Sequence, residues 1–158
     1  MTILQDYKEL LESQKSIDPE MVDVSIDFWF NSKDEIRSPF PDYIKRDLID
    51  TALLKFIEWN KKITDEARKE INDEILAERF EEILFEEAYK MVITDDEKIT
   101  IKYPFMLRID DLTKSENGIE SKVIARKIKD NEDTSFLHVT LEETISGKKW
   151  ETSFELYE

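Results

Sequence analysis

The spacing of apolar residues changes once along the chain, from a helical period to a period of two. Over residues 3–14, Ile3, Leu4, Tyr7, Leu10 and Leu11 share one side, with Lys8, Glu9 and Glu12 opposite, which predicts a short amphipathic helix. After the Ser38-Pro39-Phe40-Pro41 break, residues 42–62 carry Ile44, Leu48, Ile49, Ala52, Leu53, Phe56, Ile57 and Trp59 in a wide stripe, as in a helix with more than one packed neighbour. Thr64 before Asp65 and Glu66 reads as a new N-cap with acids in its first turn. A second long helix is therefore predicted over 65–92, with Ala67, Ile71, Ile75, Leu76, Phe80, Ile83, Leu84 and Ala88 inward. Its outer face then holds Glu66, Glu70, Asp73, Glu74, Glu78, Glu81, Glu82, Glu86 and Glu87.

Residues 22–30 fit two templates. Val22, Val24, Ile26, Phe28 and Phe30 alternate with Asp23, Ser25 and Asp27, which favours a strand. The competing reading is a helix opening at the Asp18-Pro19-Glu20 cap signal.

From residue 98 the period is two. Ile99, Ile101, Tyr103, Phe105, Leu107 and Ile109 alternate with more polar neighbours and predict a first strand, with Pro104 placing it at an edge or a bulge. Residues 119–129 form a noisier strand. Residues 135–145 offer Leu137, Val139, Leu141 and Ile145, and 149–157 offer Trp150, Thr152, Phe154 and Leu156. Asn117-Gly118 and Ser146-Gly147 are the turn signals between them. The predicted fold is α+β, in a single domain over 1–158. Its N-terminal helices, two of them long (42–62 and 65–92), pack on one face of a C-terminal four-stranded antiparallel meander (98–157), with 22–30 as a candidate fifth strand.

Composition changes this picture in two respects. The chain of 158 residues has no cysteine, which removes disulfides, thiolate catalysis and cysteine-based metal sites. With a charged N-terminal stretch and no apolar run longer than three residues, a cytoplasmic location without membrane insertion is expected. The net charge is −15, and residues 64–97 alone hold thirteen acidic against four basic side chains. A field of that sign repels phosphate backbones, so nucleic acid is not an expected partner.

Candidate chemistry is sparse. His138, the only histidine, falls on the polar side of a strand between Leu137 and Val139 and reads as a solvated position. Its titration range would suit a general base, yet no Gly-x-Ser-x-Gly elbow supplies a nucleophile. Both glycines sit in turns, so there is no phosphate-binding loop or dinucleotide fingerprint. Asp110-Asp111 followed by Glu120-Ser121-Lys122 has the carboxylate and lysine types of a metal-dependent nuclease, but acid-x-Lys recurs by chance here, as in Asp6-Tyr7-Lys8. The glutamates of 65–92 lack the Glu-x-x-His pairs of a di-iron bundle. No catalytic residue, metal site or cofactor is assigned.

The reading favoured on these grounds is a non-enzymatic acidic interaction protein (an inhibitor, immunity-type protein or adaptor) that binds a basic protein partner. Its candidate contact residues are Glu70, Glu74, Glu78 and Glu82 on the helix. Two loop groups join them, Asp95, Asp96 and Glu97, and Asp130, Glu132 and Asp133, which a strand at 98–109 would bring to one sheet end. The Pro39–Tyr43 aromatics are a further candidate recognition loop. The alternatives are a small-molecule binder or enzyme with a pocket between sheet and helices, to which Tyr103 and Thr152 would contribute, and a structural subunit of a larger assembly.

Overall fold

A computed structural model of the chain describes residue 11, residues 17–32 and residues 37–157. Apart from Leu11, which is helical and buried, the helix predicted over 3–14 lies outside them. The fold is α+β, and the chain forms two compact units, Met1–Ile93 and Thr94–Glu158.

The first unit is helical: α1 (Pro19–Phe30), α2 (Asp42–Lys61), α3 (Asp65–Arg68) and α4 (Asp73–Met91). The segment 22–30 is helix, not a fifth strand. The Asp18 carboxylate accepts from the Glu20 N–H at 3.0 Å, and Pro19 enters the first turn, where its missing N–H costs nothing. The helix buries Val22, Ser25, Ile26, Trp29 and Phe30, a helical stripe, and leaves Val24 and Phe28 exposed. The helix predicted over 65–92 is interrupted. Thr64 caps α3, but the Asn72 side chain accepts from Ile75 N–H at 2.9 Å and starts α4 afresh. In consequence Ala67 and Ile75 are exposed, contrary to the predicted inward stripe. Arg68 donates from Nη2 to the Asn60 carbonyl at 2.8 Å, which ties α3 back onto the last turn of α2. Leu48, Leu53, Phe56, Leu76, Phe80 and Leu84 are among the fully buried side chains of this unit.

The second unit holds α5 (Asp95–Lys102) and an antiparallel meander in the order β1 (Leu112–Lys114), β2 (Glu120–Asn131), β3 (Thr134–Glu143), β4 (Lys149–Leu156). The four-stranded meander forms as predicted, but not from 98 onward. The residues predicted as its first strand are α5 and the turns after it. The reason is the cap: Thr94 Oγ1 accepts from Glu97 N–H at 3.1 Å, while Glu97 Oε1 accepts from Thr94 N–H at 2.9 Å. A complete capping box with three acids in the first turn outweighs the period-two pattern that runs from Ile99 to Ile109. Pro104 then disfavours helical backbone at the residue before it, and Tyr103, at φ −133 and ψ 71, ends the helix.

Within this unit the inner sheet face packs Val123, Leu137, Val139, Leu141 and Leu156 against Ile99 of α5, with Tyr103, Met106, Leu107 and Ile128 at the margin. β2 carries a bulge between Val123 and Ala125. The extra residue shifts the alternation by one, so Val123 and Ile128 face inward on either side of it, and so does Arg126. The β2 sequence looked noisy because of this bulge. Gly147, at φ 74, closes the β3–β4 hairpin in a left-handed conformation that glycine adopts freely. Ile145, predicted inward, lies in that turn and is 99% exposed.

Candidate functional site

The acidic residues of α4 stand where the helical period puts them. Glu74, Glu78 and Glu82, four residues apart, are all exposed. Glu78, Glu81 and Glu82 together with Phe85 line a shallow groove of about 400 Å³. Its apolar wall, Phe85, is part of an aromatic cluster in the first unit: it meets Trp29 edge-on at 4.8 Å and Phe40 at 5.2 Å, and Phe28 in turn meets Trp29 at 4.8 Å. Arg79 Nη1 binds Glu82 at 2.9 Å and its guanidinium lies over Trp59 at 5.8 Å. Among the described residues no cation pairs with Glu78 or Glu81. The groove thus sets two carboxylates that have no cation among the described residues, and a third paired with Arg79, beside an aromatic wall.

Glu70 is not on that face. It lies in the turn between α3 and α4, exposed. Glu87, read as part of the solvated outer face, is buried; its Oε1 binds Lys55 Nζ of α2 at 2.8 Å and its Oε2 binds Lys90 Nζ at 2.9 Å. Burial pushes this carboxyl up, but hydrogen bonds and attraction from the two ammonium groups outweigh it and hold Glu87 below the usual carboxylate range. The same hydrogen bond raises Lys90.

Asp95, Asp96 and Glu97 form the first turn of α5 rather than a loop. Glu97 completes the capping box, and Asp96 binds Arg126. Asp130 accepts from Ser135 Oγ at 2.6 Å, and Glu132 sits at the β2–β3 turn with φ 48. Because 98–109 is not a strand, no strand carries the first group to the sheet end that holds the β2–β3 turn. Among the described residues no three acidic or histidine side chains are grouped to hold a metal ion.

Of the Pro39–Tyr43 aromatics, Phe40 is buried, while Tyr43 is exposed and its hydroxyl accepts from Ile93 N–H at 3.3 Å. Asp110 pairs with Lys122 at 3.2 Å, and the Asp111 carboxylate accepts from Arg108 N–H at 2.8 Å. Glu120 Oε1 accepts from Thr144 Oγ1, and Ser121 Oγ accepts from Trp150 Nε1 at 3.0 Å. These contacts tie the start of β2 to the segment before β1, to the β3–β4 turn and to β4. Tyr103 packs beside the inner-face core, and Thr152 of β4 pairs with Val139 of β3. A second groove, of about 250 Å³, is lined by Lys122, Ile124, Glu142, Glu143 and Thr144, and neither Tyr103 nor Thr152 is among its walls.

His138 lies on the polar face as predicted, but is largely covered: its side chain is 15% exposed. Its Nδ1 lies 3.0 Å from Ser153 Oγ and its Nε2 3.3 Å from Glu151. With Nε2 protonated toward Glu151, Nδ1 accepts from the Ser153 hydroxyl, so the three side chains form a cross-strand polar cluster on β3 and β4. No described helix is long and apolar enough to cross a membrane. Comparison with protein-family models, with curated proteins and with solved structures yields no match for this chain.

Proposed function

We propose that the chain is a non-enzymatic acidic interaction protein of the cell interior, of the inhibitor, immunity-type or adaptor kind, that binds a basic protein partner through the α4 groove. The observation that supports this reading is the groove itself, in which Glu78 and Glu81 lie beside Phe85 with no cation opposite them among the described residues. Such a surface suits a lysine- or arginine-bearing segment with one apolar side chain: the charges speed encounter, and the ring supplies area that water leaves on contact. The concentration of acidic residues in 64–97 extends the attractive field beyond the groove. The absence of cysteine suits a reducing compartment.

The test is affinity capture from the native lysate with the full chain and with its Glu78→Lys/Glu81→Lys variant, at low and at high salt. A basic protein retained by the wild type at low salt and lost in both controls supports the proposal. Equal capture by the variant sinks it.

A further inference from the structure

β4 is the last strand of the sheet, hydrogen-bonded to β3 on one side and without a strand partner on the other among the described residues. Which groups face the open side follows from the register. Glu143 N–H donates to the Lys148 carbonyl at 2.8 Å, and the pairing runs on as Leu141 with Trp150 and Val139 with Thr152. Even-numbered β4 residues therefore turn their backbone groups toward β3. Lys149, Glu151, Ser153 and Glu155 point theirs to the edge. On the inner face, Trp150 and Phe154 remain 37% exposed, one on each side of Thr152.

We propose that β4 pairs antiparallel with β4 of a second copy of this chain, centred on Thr152, so that the two sheets run on as one. The strand is complementary to itself in this register. Trp150 lies opposite Phe154 of the second copy twice over on the inner face, and Lys149 lies opposite Glu155 twice over on the outer face. Glu151 meets Ser153, and Thr152 meets Thr152. Cross-strand aromatic and opposite-charge pairs of this kind are the units that stabilise antiparallel ladders. Other registers fail on the same residues. A slide of two residues one way sets Glu151 against Glu151, and the other way sets Glu151 against Glu155. A slide of one turns the aromatic face of one sheet onto the charged face of the other. The opposite edge strand, β1, is only three residues long and offers no comparable ladder.

The open backbone groups of Glu151 and Ser153 form a hydrogen-bonded pair in this arrangement, which makes Thr152–Thr152 the close, non-bonded pair, with Cα atoms about 4.5 Å apart. That separation accepts a disulfide, and the chain has no other cysteine. The experiment is sedimentation equilibrium of the full chain at about 0.15 M salt, where repulsion between the two acidic copies is screened beyond about 8 Å. It is joined by oxidative cross-linking of Thr152→Cys and Glu155→Cys. A dimer is expected. Thr152→Cys should cross-link readily and Glu155→Cys should not, because residue 155 faces residue 149 and lies about 20 Å from its own counterpart. Glu155→Lys should weaken the dimer about tenfold by opposing lysine to Lys149, and the exchange Lys149→Glu/Glu155→Lys should restore it. A chain that stays monomeric at millimolar concentration overturns the proposal. So does cross-linking that fails at 152 or is equal at both positions, and so does a dimer indifferent to Glu155→Lys.

Discussion

Arg126 on β2 and Asp96 on α5 are joined twice: Nε donates to the Asp96 carboxylate at 2.6 Å and an Nη2 proton goes to the Asp96 carbonyl at 2.9 Å. The same guanidinium donates to the Leu107 carbonyl at 2.9 Å and to Thr100 Oγ1, and its side chain is 1% exposed. A planar fork with fixed donors can serve four acceptors at once where a lysine could serve fewer. The bulge at Ile124 makes this possible by turning Arg126 inward, where it ties the helix and the segment after it to the sheet.

Replacing Arg126 with alanine should therefore cost about 2–3 kcal/mol, because it strands the Asp96 and Leu107 carbonyls and Thr100 Oγ1, while the Asp96 carboxylate, 39% exposed, regains water. Arg126→Lys should recover only part of that. Urea denaturation, followed by circular dichroism, reads both. A loss below about 1 kcal/mol for the alanine variant would show that solvent replaces the guanidinium.

The Glu87 bridge predicts a pH dependence. Its carboxyl titrates lower in the folded chain than in the unfolded one. The stabilisation is therefore complete above the unfolded value and is lost as pH falls through the folded one. Glu87→Gln should lower stability at neutral pH by about 1–2 kcal/mol and flatten the decline on acidification. Melting curves at stepwise lower pH would expose the error if both proteins declined with the same slope.

At the β2–β3 turn, Glu132 holds a φ of 48, a left-handed conformation that costs a side-chain-bearing residue about 1 kcal/mol. Glu132→Gly should raise stability by up to about that amount, read as an upward shift in Tm. A lower Tm would mean that the turn gains more from the glutamate side chain than the backbone loses.

The capping box of α5 should show in Thr94→Ala, at a cost of about 1 kcal/mol. By contrast, Glu78→Lys/Glu81→Lys should stay within about 0.5 kcal/mol of the wild type, as surface changes do. That pair of outcomes separates acids that hold the fold from acids left available for a partner.

Much of the architecture was legible because local chemistry is strong where it is legible. The wide apolar stripe of 42–62, the cap at Thr64, the turns at Asn117-Gly118 and Ser146-Gly147 and the alternation of β3 and β4 each specify backbone geometry over a few residues, and the structure contains them. The acidic face of α4 was legible for the same reason, since period and charge place Glu74, Glu78 and Glu82 together. Short apolar runs were ambiguous by nature. Over 22–30 and 98–103 the same residues fit a period of two and a period near four, and the outcome turned on caps at Asp18 and Thr94 that stabilise only the helix.

Other features depended on partners distant in the chain. Glu87 is buried because Lys55, on another helix, reaches it, and the helical wheel of α4 alone assigns it to solvent. Arg126 points inward because a bulge inserts one residue, and a bulge is chosen by what the two faces must pack against. Phe85, the apolar wall of the groove, is held edge-on by Trp29 of α1. Sequence by itself determined the local elements, whose energies are local. Tertiary structure alone decided which polar groups are buried, paired or left open, because desolvation and pairing depend on neighbours that only the folded chain assembles.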